Sequence, residues 1–148
     1  MMSDWLLHAD LDTLLQFIFS QLIESNIDNS RPCFVYGFPA SQASLAKLNN
    51  LDKRIANRFE CYYQGIELLN GFEELTDSDI QLSRFETDNN LRSQLGYVNK
   101  PIDHRFIAAL KSGLPDCSGV ALGIDRLLML LLKTNSIDEV VSFTIDKA

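Results

Sequence analysis

Cysteine and basic residues are both scarce in this sequence. Its 148 residues include three cysteines (Cys33, Cys61 and Cys117), an odd number without the spacing of a metal-binding pair. We therefore expect reduced thiols in a cytoplasmic protein rather than disulfides. Lysine and arginine number 13 against 20 acidic residues, and the net charge of -7 argues against non-specific nucleic-acid binding. A local basic patch remains compatible with that charge.

Long apolar runs are absent as well. The longest, Leu127–Leu132, is far too short to cross a bilayer. No basic leader precedes an apolar stretch at the N-terminus, where Asp4, Asp10 and Asp12 intervene, so we expect no signal peptide. With 46% apolar and 22% charged residues, the composition is that of a globular protein, and the length suits a single domain, 1–148.

The hydrophobic pattern predicts a mixture of helices and strands. Apolar residues at helical spacing behind a capping aspartate predict a helix over Asp10–Ser25. Similar signals predict helices over Thr76–Leu95 and Asp103–Lys111, the first of them stopped by a glycine. The short β-rich run Cys33–Phe38 predicts a buried strand. An apolar tail, Ile137–Phe143, is expected to pack on the last helix.

A β-hairpin is predicted around Gln64-Gly65. The flanking segments, Arg54–Tyr63 and Ile66–Leu69, are rich in strand-forming residues, and two residues with glycine second make a tight hairpin turn. The hairpin fixes which side chains face one another, because directly opposed residues share a face of the sheet.

This register predicts a pair of carboxylates on one face. It places Tyr62 opposite Glu67 and Glu60 opposite Leu69, so that both glutamates and the tyrosine lie together. Two close carboxylates repel unless a cation or a proton lies between them. A Mg²⁺ ion carried by a nucleotide would relieve the repulsion, since hard cations take oxygen ligands.

A glycine further along extends this face. Gly71 predicts a β-bulge, whose extra residue would turn Asn70, Phe72 and Glu74 to the same side as Glu67. An alternative stays open, in which these glutamates are only the solvated face of an antiparallel sheet.

The stretch Gly119–Leu132 predicts a strand that passes directly into a helix. Small residues alternate with apolar ones up to Gly123, which is typical of a buried strand that another group approaches closely. Strong helix formers follow from Ile124 and predict a buried helix. Arg126 lies at the junction, where its planar fork of donors suits a phosphate; a local ion pair with Asp125 is the alternative. The glycine spacing matches neither the dinucleotide fingerprint nor the phosphate-binding loop.

Three segments together resemble a known family. Gly119–Leu132 resembles motif 3 of the class II aminoacyl-tRNA synthetases, in the form of the lysyl-tRNA synthetase group. The resemblance is greater to the paralogues of that group that attach (R)-β-lysine to elongation factor P. It runs from about residue 10 to the C-terminus, and the segments that carry it are Phe34–Leu45 (FVYGFPASQASL), Gly65–Asp77 (GIELLNGFEELTD) and Leu114–Arg126 (LPDCSGVALGIDR).

The resemblance implies an ATP site. In that family the arginine that matches Arg126 contacts the ATP phosphates, which implies a catalytic role for it here. The glutamates that match Glu60 and Glu67 bind ATP-associated metal, which implies Mg²⁺. ATP and Mg²⁺ are therefore the expected cofactors.

The resemblance also implies a lysine site. The residue matching Asn70 contacts the amino-acid carboxylate, the one matching Glu74 pairs with the side-chain ammonium, and the one matching Phe72 lines the pocket. Ala121 stands where a typical lysyl-tRNA synthetase has glycine and where the β-lysine ligases have alanine. Its methyl group changes the space for the amino acid, which favours the ligase branch.

Two departures from the family stand out. The Phe-Arg-x-Glu signature of motif 2 is absent and so is motif 1, and no anticodon-binding barrel precedes the catalytic region. We therefore expect a partial class II catalytic domain of α+β fold, an antiparallel sheet of about four strands with helices over one face and one exposed edge. We expect it to belong to a longer ligase or to be a natural remnant, and a homodimer through that edge is one expectation.

The implied activity is activation of lysine or (R)-β-lysine with Mg·ATP, followed by transfer to a lysine of elongation factor P. Two alternatives stay open at this point. The first is a fragment of a lysyl-tRNA synthetase, and the second is a non-catalytic module that binds nucleotide or a partner. The missing motif 2 favours the module, whereas the glutamates and arginine named above favour descent from a working enzyme.

Overall fold

The computed structural model describes residues 9–145. The first eight residues, on which the signal-peptide prediction partly rests, lie outside that range. Within it, no helix is both long and apolar enough to cross a bilayer. The helices are α1 (Leu11–Ile18), α2 (Ser78–Gln94), α3 (His104–Lys111) and α4 (Ile124–Leu132), and the strands are β1 (Cys33–Tyr36), β2 (Arg58–Tyr63), β3 (Ile66–Glu73) and β4 (Ser118–Leu122).

The strands form one antiparallel sheet in the order β1-β2-β3-β4, which confirms the α+β prediction. The predicted turn joins β2 to β3, with positive φ angles of 50° at Gln64 and 72° at Gly65. Two such residues match the twist of a hairpin. The predicted start of β2 was wrong: it begins at Arg58 because the Arg54 carbonyl accepts the Ala40 N–H, at 2.8 Å, outside the strand ladder.

Strand β3 contains one extra residue, Leu68. Tyr62 lies opposite Glu67 as predicted, but Cys61 lies opposite Leu69, so Leu68 has no partner across the hairpin. This is a β-bulge, and it changes which residues of β3 face each side of the sheet.

The bulge corrects two predictions. The sequence predicted a bulge at Gly71, but the bulge lies earlier, at Leu68. Glu60 consequently lies opposite Asn70 and not opposite Leu69. A register counted from the turn holds only as far as the first extra residue. The predicted placement of Asn70 and Phe72 is nevertheless correct, although the bulge was predicted at the wrong residue. Asn70 shares a face with Glu60, and so does Phe72, two residues further along the strand.

Helices α2 and α3 begin and end close to their predicted limits. Asp77 caps α2 by accepting the N–H groups of the next turn, and Asp103 caps α3 in the same way. Gly96 ends α2 with a positive φ of 76°. The two helices pack through Phe85 and Phe106, whose ring centroids are 6.2 Å apart.

Helix α1 is shorter than predicted. It begins after Asp10, which accepts the Thr13 N–H at 2.8 Å, and ends at Ile18. The chain continues through a wide π-turn, Phe19–Ile23, and a tight 3-10 turn, Glu24–Asn26, so the predicted helical segment is present but is α-helical only in its first half.

A loop between β1 and β2 forms a small core against the sheet. Its alanines Ala43, Ala46 and Ala56 are almost fully buried and pack with Phe72. Arg84 of α2 holds this loop by donating to two of its carbonyl oxygens at 2.8 Å each. Burial lowers the pKa of the Arg84 guanidinium. The loop is therefore tied both to the sheet and to α2.

The face of the sheet that carries Cys61 and Leu69 is apolar, and its two edge strands are exposed. Alternation along each strand places Phe34 and Tyr36 of β1 and Val120 and Leu122 of β4 on this face. We call it the outer face, and the exposed fractions of these four residues are Phe34 56%, Tyr36 80%, Val120 60% and Leu122 42%.

Three predictions about burial were wrong. Strands β1 and β4 are not buried, and helix α4 has no buried residue, with Ile124 58% and Leu131 69% exposed. The C-terminal tail packs on α4 through Ile137–Glu139, as predicted, although Phe143 beyond that contact is 80% exposed. The sheet also has two free edges within residues 9–145, β1 and β4, and not one.

Gly71→Ala should destabilise the fold. A Cβ at this position would collide with the ring of Phe59, its partner on β2, and would lie 3.0 Å from the Gly119 carbonyl oxygen. Such overpacking costs about 1–3 kcal/mol. The urea midpoint of unfolding measures the loss. Gly119→Ala is the matched control, because its Cβ would meet only the flexible end of Glu74, and an equal midpoint for both variants would contradict the packing argument.

Candidate functional site

The face of the sheet opposite the outer face carries most of the predicted site residues. Directly opposed residues share a face, and the observed pairs run across β2, β3 and β4. We call this the site face, and its members are Arg58, Glu60, Tyr62, Glu67, Asn70, Phe72, Gly119 and Ala121. Substrate and metal residues that were predicted from separate segments therefore lie on one surface.

Glu60 is the most buried acid on the site face. One of its carboxylate oxygens accepts from Arg58 Nη2 at 2.5 Å and the other accepts from the Tyr62 hydroxyl at 2.6 Å. The side chains of Glu60 and Arg58 are only 9% and 18% exposed. A buried carboxylate needs such partners, and Arg58 and Tyr62 supply one to each oxygen of Glu60.

Sequence reasoning missed Arg58. The signal that identifies it is its position two residues before Glu60 on the same strand, which puts both side chains on one face. An arginine on a half-buried face needs an acceptor, and Glu60 supplies one.

Tyr62 should titrate well above the ordinary pKa of a tyrosine. Burial, and then its hydrogen bond to Glu60, raise its pKa far above the ordinary value of 10.0. A raised pKa means that folding loses stability as the pH rises past the unfolded value, so deprotonation should accompany unfolding. Absorbance of the phenolates at alkaline pH measures this, and Tyr62→Phe should remove the last-titrating component. Simple titration of all four tyrosines near pH 10 would contradict the assignment.

Arg126 reaches the site face from the first turn of α4. Its Nη1 donates to the Glu67 carbonyl oxygen at 2.6 Å and lies 3.4 Å from a Glu67 carboxylate oxygen. Both side chains are partly exposed, at 48% and 36%. Within the described range Arg126 pairs with Glu67 and makes no ion pair with Asp125, so the alternative of a local pair is wrong.

Glu74 lies just beyond the end of β3 and bends onto the site face. Its N–H donates to the Cys117 carbonyl oxygen at 3.0 Å, and it bridges to Ala46 in the small core. Its carboxylate lies in the space that a Cβ at residue 119 would take, so glycine leaves it in place and any larger residue would displace it. This is the close approach that the small residues of β4 predicted. Ala121, opposite Asn70, is exposed beside it.

The acidic residues fit a cation that brings ligands of its own. Among residues 9–145, no group of three or more His, Cys, Asp or Glu side chains is placed to hold a metal ion. Glu60 and Glu67 share a face, and each carboxylate retains lone pairs beyond those already bonded. Mg²⁺ is commonly held by one or two carboxylates together with substrate phosphates. The pair therefore suits a nucleotide-borne Mg²⁺ and not a dedicated metal cage.

A cavity of about 390 Å³ adjoins the site between α1 and the strands β1 and β2. Arg58, Glu60 and Tyr62 form its polar wall, and Phe19 of the π-turn closes it over the Tyr62 ring at 5.7 Å. The residues predicted to bind an amino acid do not line it. They lie on the open part of the site face, towards β4.

The family of the chain follows from comparison with known proteins. The family model for class II tRNA synthetases (D, K and N) matches residues 13–147, nearly the whole chain. The chain belongs to this family. The matched range includes all four strands and the junction between β4 and α4 that bears Arg126.

Several curated proteins named elongation factor P--(R)-beta-lysine ligase are more than half identical to the chain. The protein of Haemophilus ducreyi is 56% identical over 137 residues, 93% of this chain and 42% of the relative. That of Histophilus somni is 58% identical over 95% of this chain and 44% of the relative. That of Klebsiella pneumoniae is 56% identical over 94% and 43%. The chain thus spans less than half the length of these relatives.

Proposed function

We propose that the chain forms the amino-acid-binding part of an adenylate-forming ligase. Within a longer enzyme it would activate lysine or (R)-β-lysine with Mg·ATP and pass it to a lysine of elongation factor P. The family supports the class of reaction, and the names of the three relatives support the substrate and the acceptor protein.

The observation that carries the proposal is the placement of Glu74 against Gly119. Since glycine leaves room for the carboxylate, an anion stands on the site face beside β4. The ammonium of a lysine-like side chain loses its hydration on binding and needs such a partner. Asn70 offers an amide to the other end of the amino acid, and Phe72 supplies an apolar wall between the two. The arrangement selects a molecule with a cation at one end and a carboxylate at the other.

The nucleotide end of the site is the region of Glu60, Glu67 and Arg126. The two glutamates would hold the Mg²⁺ that accompanies ATP, and this ion would supply charge neutralisation for the phosphates. Arg126 would exchange its contact with the Glu67 carboxylate for a phosphate oxygen, while its bond to the Glu67 carbonyl keeps it at the site. Positioning and charge stabilisation are the contributions that such a reaction needs from a protein.

Ligand binding by the chain itself tests this proposal. Isothermal titration should show that lysine or (R)-β-lysine binds at least about tenfold more tightly than norleucine, which lacks the side-chain ammonium and with it one charge-assisted contact. The preferred lysine isomer would then name the substrate. Equal binding of norleucine, or no binding of either lysine, would overturn the proposal. Amino-acid-dependent ATP–pyrophosphate exchange then shows whether the chain also activates what it binds.

Glu74→Gln should weaken lysine binding. The change keeps the shape of the side chain and removes its charge, at a cost of roughly 1.5–3 kcal/mol, or about 10–150-fold in affinity. The affinity for norleucine should stay unchanged, since it has no side-chain ammonium to pair with Glu74. Titration of both ligands measures the effect, and an unchanged lysine affinity would return Glu74 to the solvated face of the sheet. Gly119→Ala, which pushes the same carboxylate aside, should reproduce the loss.

A further inference from the structure

We propose that Arg58 is a positioning residue for recognition of the amino-acid carboxylate, because it fixes the orientation of the Asn70 amide. This inference rests on the proposed function and adds to it a residue that neither the sequence motifs nor the family resemblance singled out. Arg58 contacts other members of the site face and is itself mostly buried, at 18% exposure of its side chain.

The guanidinium of Arg58 is shared among three acceptors. Its Nε donates to Asn70 Oδ1 at 3.3 Å, its Nη1 to the Gln42 carbonyl oxygen at 2.9 Å and its Nη2 to Glu60 at 2.5 Å. It also lies 4.5 Å from the ring centroid of Phe38 and 5.8 Å from that of Phe72. A planar fork held on three sides and stacked on aromatic rings has little freedom to turn.

The chemistry of this contact determines which end of the Asn70 amide is left over. A guanidinium has donors and no acceptor, so only the amide oxygen of Asn70 can face it. The amide nitrogen is therefore the free end, and among residues 9–145 it donates no hydrogen bond. A free N–H₂ group is a donor, and the acceptor it suits at this end of the site is a carboxylate. Arg58 thereby converts an ambiguous amide into a donor of defined direction.

The same guanidinium links the carboxylate end of the site to its nucleotide end. Glu60, predicted to bind the ATP-associated metal, and Asn70, predicted to bind the amino acid, lie opposite each other and accept from one side chain. The bond to Gln42 extends the link to the loop between β1 and β2. Lysine in place of Arg58 keeps the charge near Glu60, but its donors sit on one nitrogen and cannot reach acceptors that the three nitrogens of a planar fork contact separately.

The test compares two ligands that differ only at the carboxylate. In Arg58→Lys, the affinity for lysine should fall about tenfold, the effect of one charge-assisted hydrogen bond. The affinity for lysinamide, which keeps the ammonium and lacks the carboxylate charge, should change less than about twofold. A merely structural role would lower both affinities together, and that result would overturn the proposal. Unchanged binding of both ligands would overturn it as well.

Two controls test whether Arg58 acts specifically and through Asn70. Arg54→Lys changes an arginine four positions away whose side chain is 89% exposed and whose guanidinium donates to Asp52, and it should leave both affinities unchanged. In an Asn70→Ala background, Arg58→Lys should have no further effect on lysine binding, because the group it positions is gone. An additive loss in the double variant would show that Arg58 acts by another route.

If the chain binds neither lysine nor lysinamide, a measurement without ligand tests whether Arg58 positions the Asn70 amide. The side-chain amide protons of Asn70, observed by nuclear magnetic resonance in ¹⁵N-labelled protein, should shift and exchange faster with water in Arg58→Lys. Identical signals in both proteins would overturn the inference. Failure of binding with a clear change in the Asn70 signals would overturn the proposed function alone.

Discussion

Replacing Arg126 with alanine is expected to lower amino-acid-dependent ATP–pyrophosphate exchange by about 10²–10³-fold, the loss that follows removal of one donor to developing charge. The chain should nevertheless fold as before, since Arg126 is about half exposed and α4 buries none of its residues. The assay is best made on a chimaera in which the unmatched part of the Haemophilus ducreyi ligase restores the length of that relative.

Arg126→Lys and Arg54→Ala are the controls for a loss of exchange activity in Arg126→Ala. Lysine keeps the charge and loses the planar fork, so exchange should remain far below that of the parent. Arg54 lies outside the site and is 89% exposed, so its loss should have no effect on exchange. Undiminished exchange in Arg126→Ala, with the unfolding midpoint unchanged, would remove Arg126 from the proposed chemistry.

The second large effect concerns the outer face. We expect the chain to self-associate through β1, whose free edge offers unpaired backbone groups next to Phe34 and Tyr36. Light scattering should report a mass that rises with concentration to at least that of a dimer. Phe34→Lys should return the protein to a monomer, because a charge on an edge strand opposes pairing.

Leu51→Lys is the control for this effect. Leu51 is 99% exposed and lies in the loop between β1 and β2, outside both edge strands, so its replacement should not change the mass. A monomer at high concentration in the unchanged chain would contradict the prediction. Association that survives Phe34→Lys would move the contact to another apolar surface, such as the exposed side of α4.

Local features of the fold were predictable from the sequence, because neighbouring residues decide them. The hairpin turn follows from Gln64-Gly65, and the starts of α2 and α3 follow from the capping side chains of Asp77 and Asp103. The bulge at Leu68 was not predictable, since its carbonyl oxygen accepts from the Gly123 N–H, at 2.9 Å, from a distant part of the chain. Burial of α4 was predicted wrongly because periodicity identifies an apolar side and not what covers it.

The candidate site likewise has features that local sequence predicts and features that depend on distant parts of the chain. Alternation along β2 and β3 brought Glu60, Glu67 and Asn70 to one face, since it needs only the strand period and one bulge. The partner of Arg126 lies 59 residues away in the sequence and depends on the junction between β4 and α4. The role of Arg58 depends on where five neighbouring groups stand, and no short motif encodes that.

Because β3 contains an extra residue, the effect of deleting one residue from this strand depends on which residue is lost. Loss of the codon for Leu68 would leave an unbroken ladder in which Asn70 and Phe72 still face Glu60 and Arg58, at the cost of the contact with Gly123. Loss of the codon for Gly71 would instead turn every later residue of the strand to the other side. Two deletions three codons apart would therefore have different consequences. Deletion of Leu68 would mainly affect the contact that holds the start of α4, whereas deletion of Gly71 would disrupt the site.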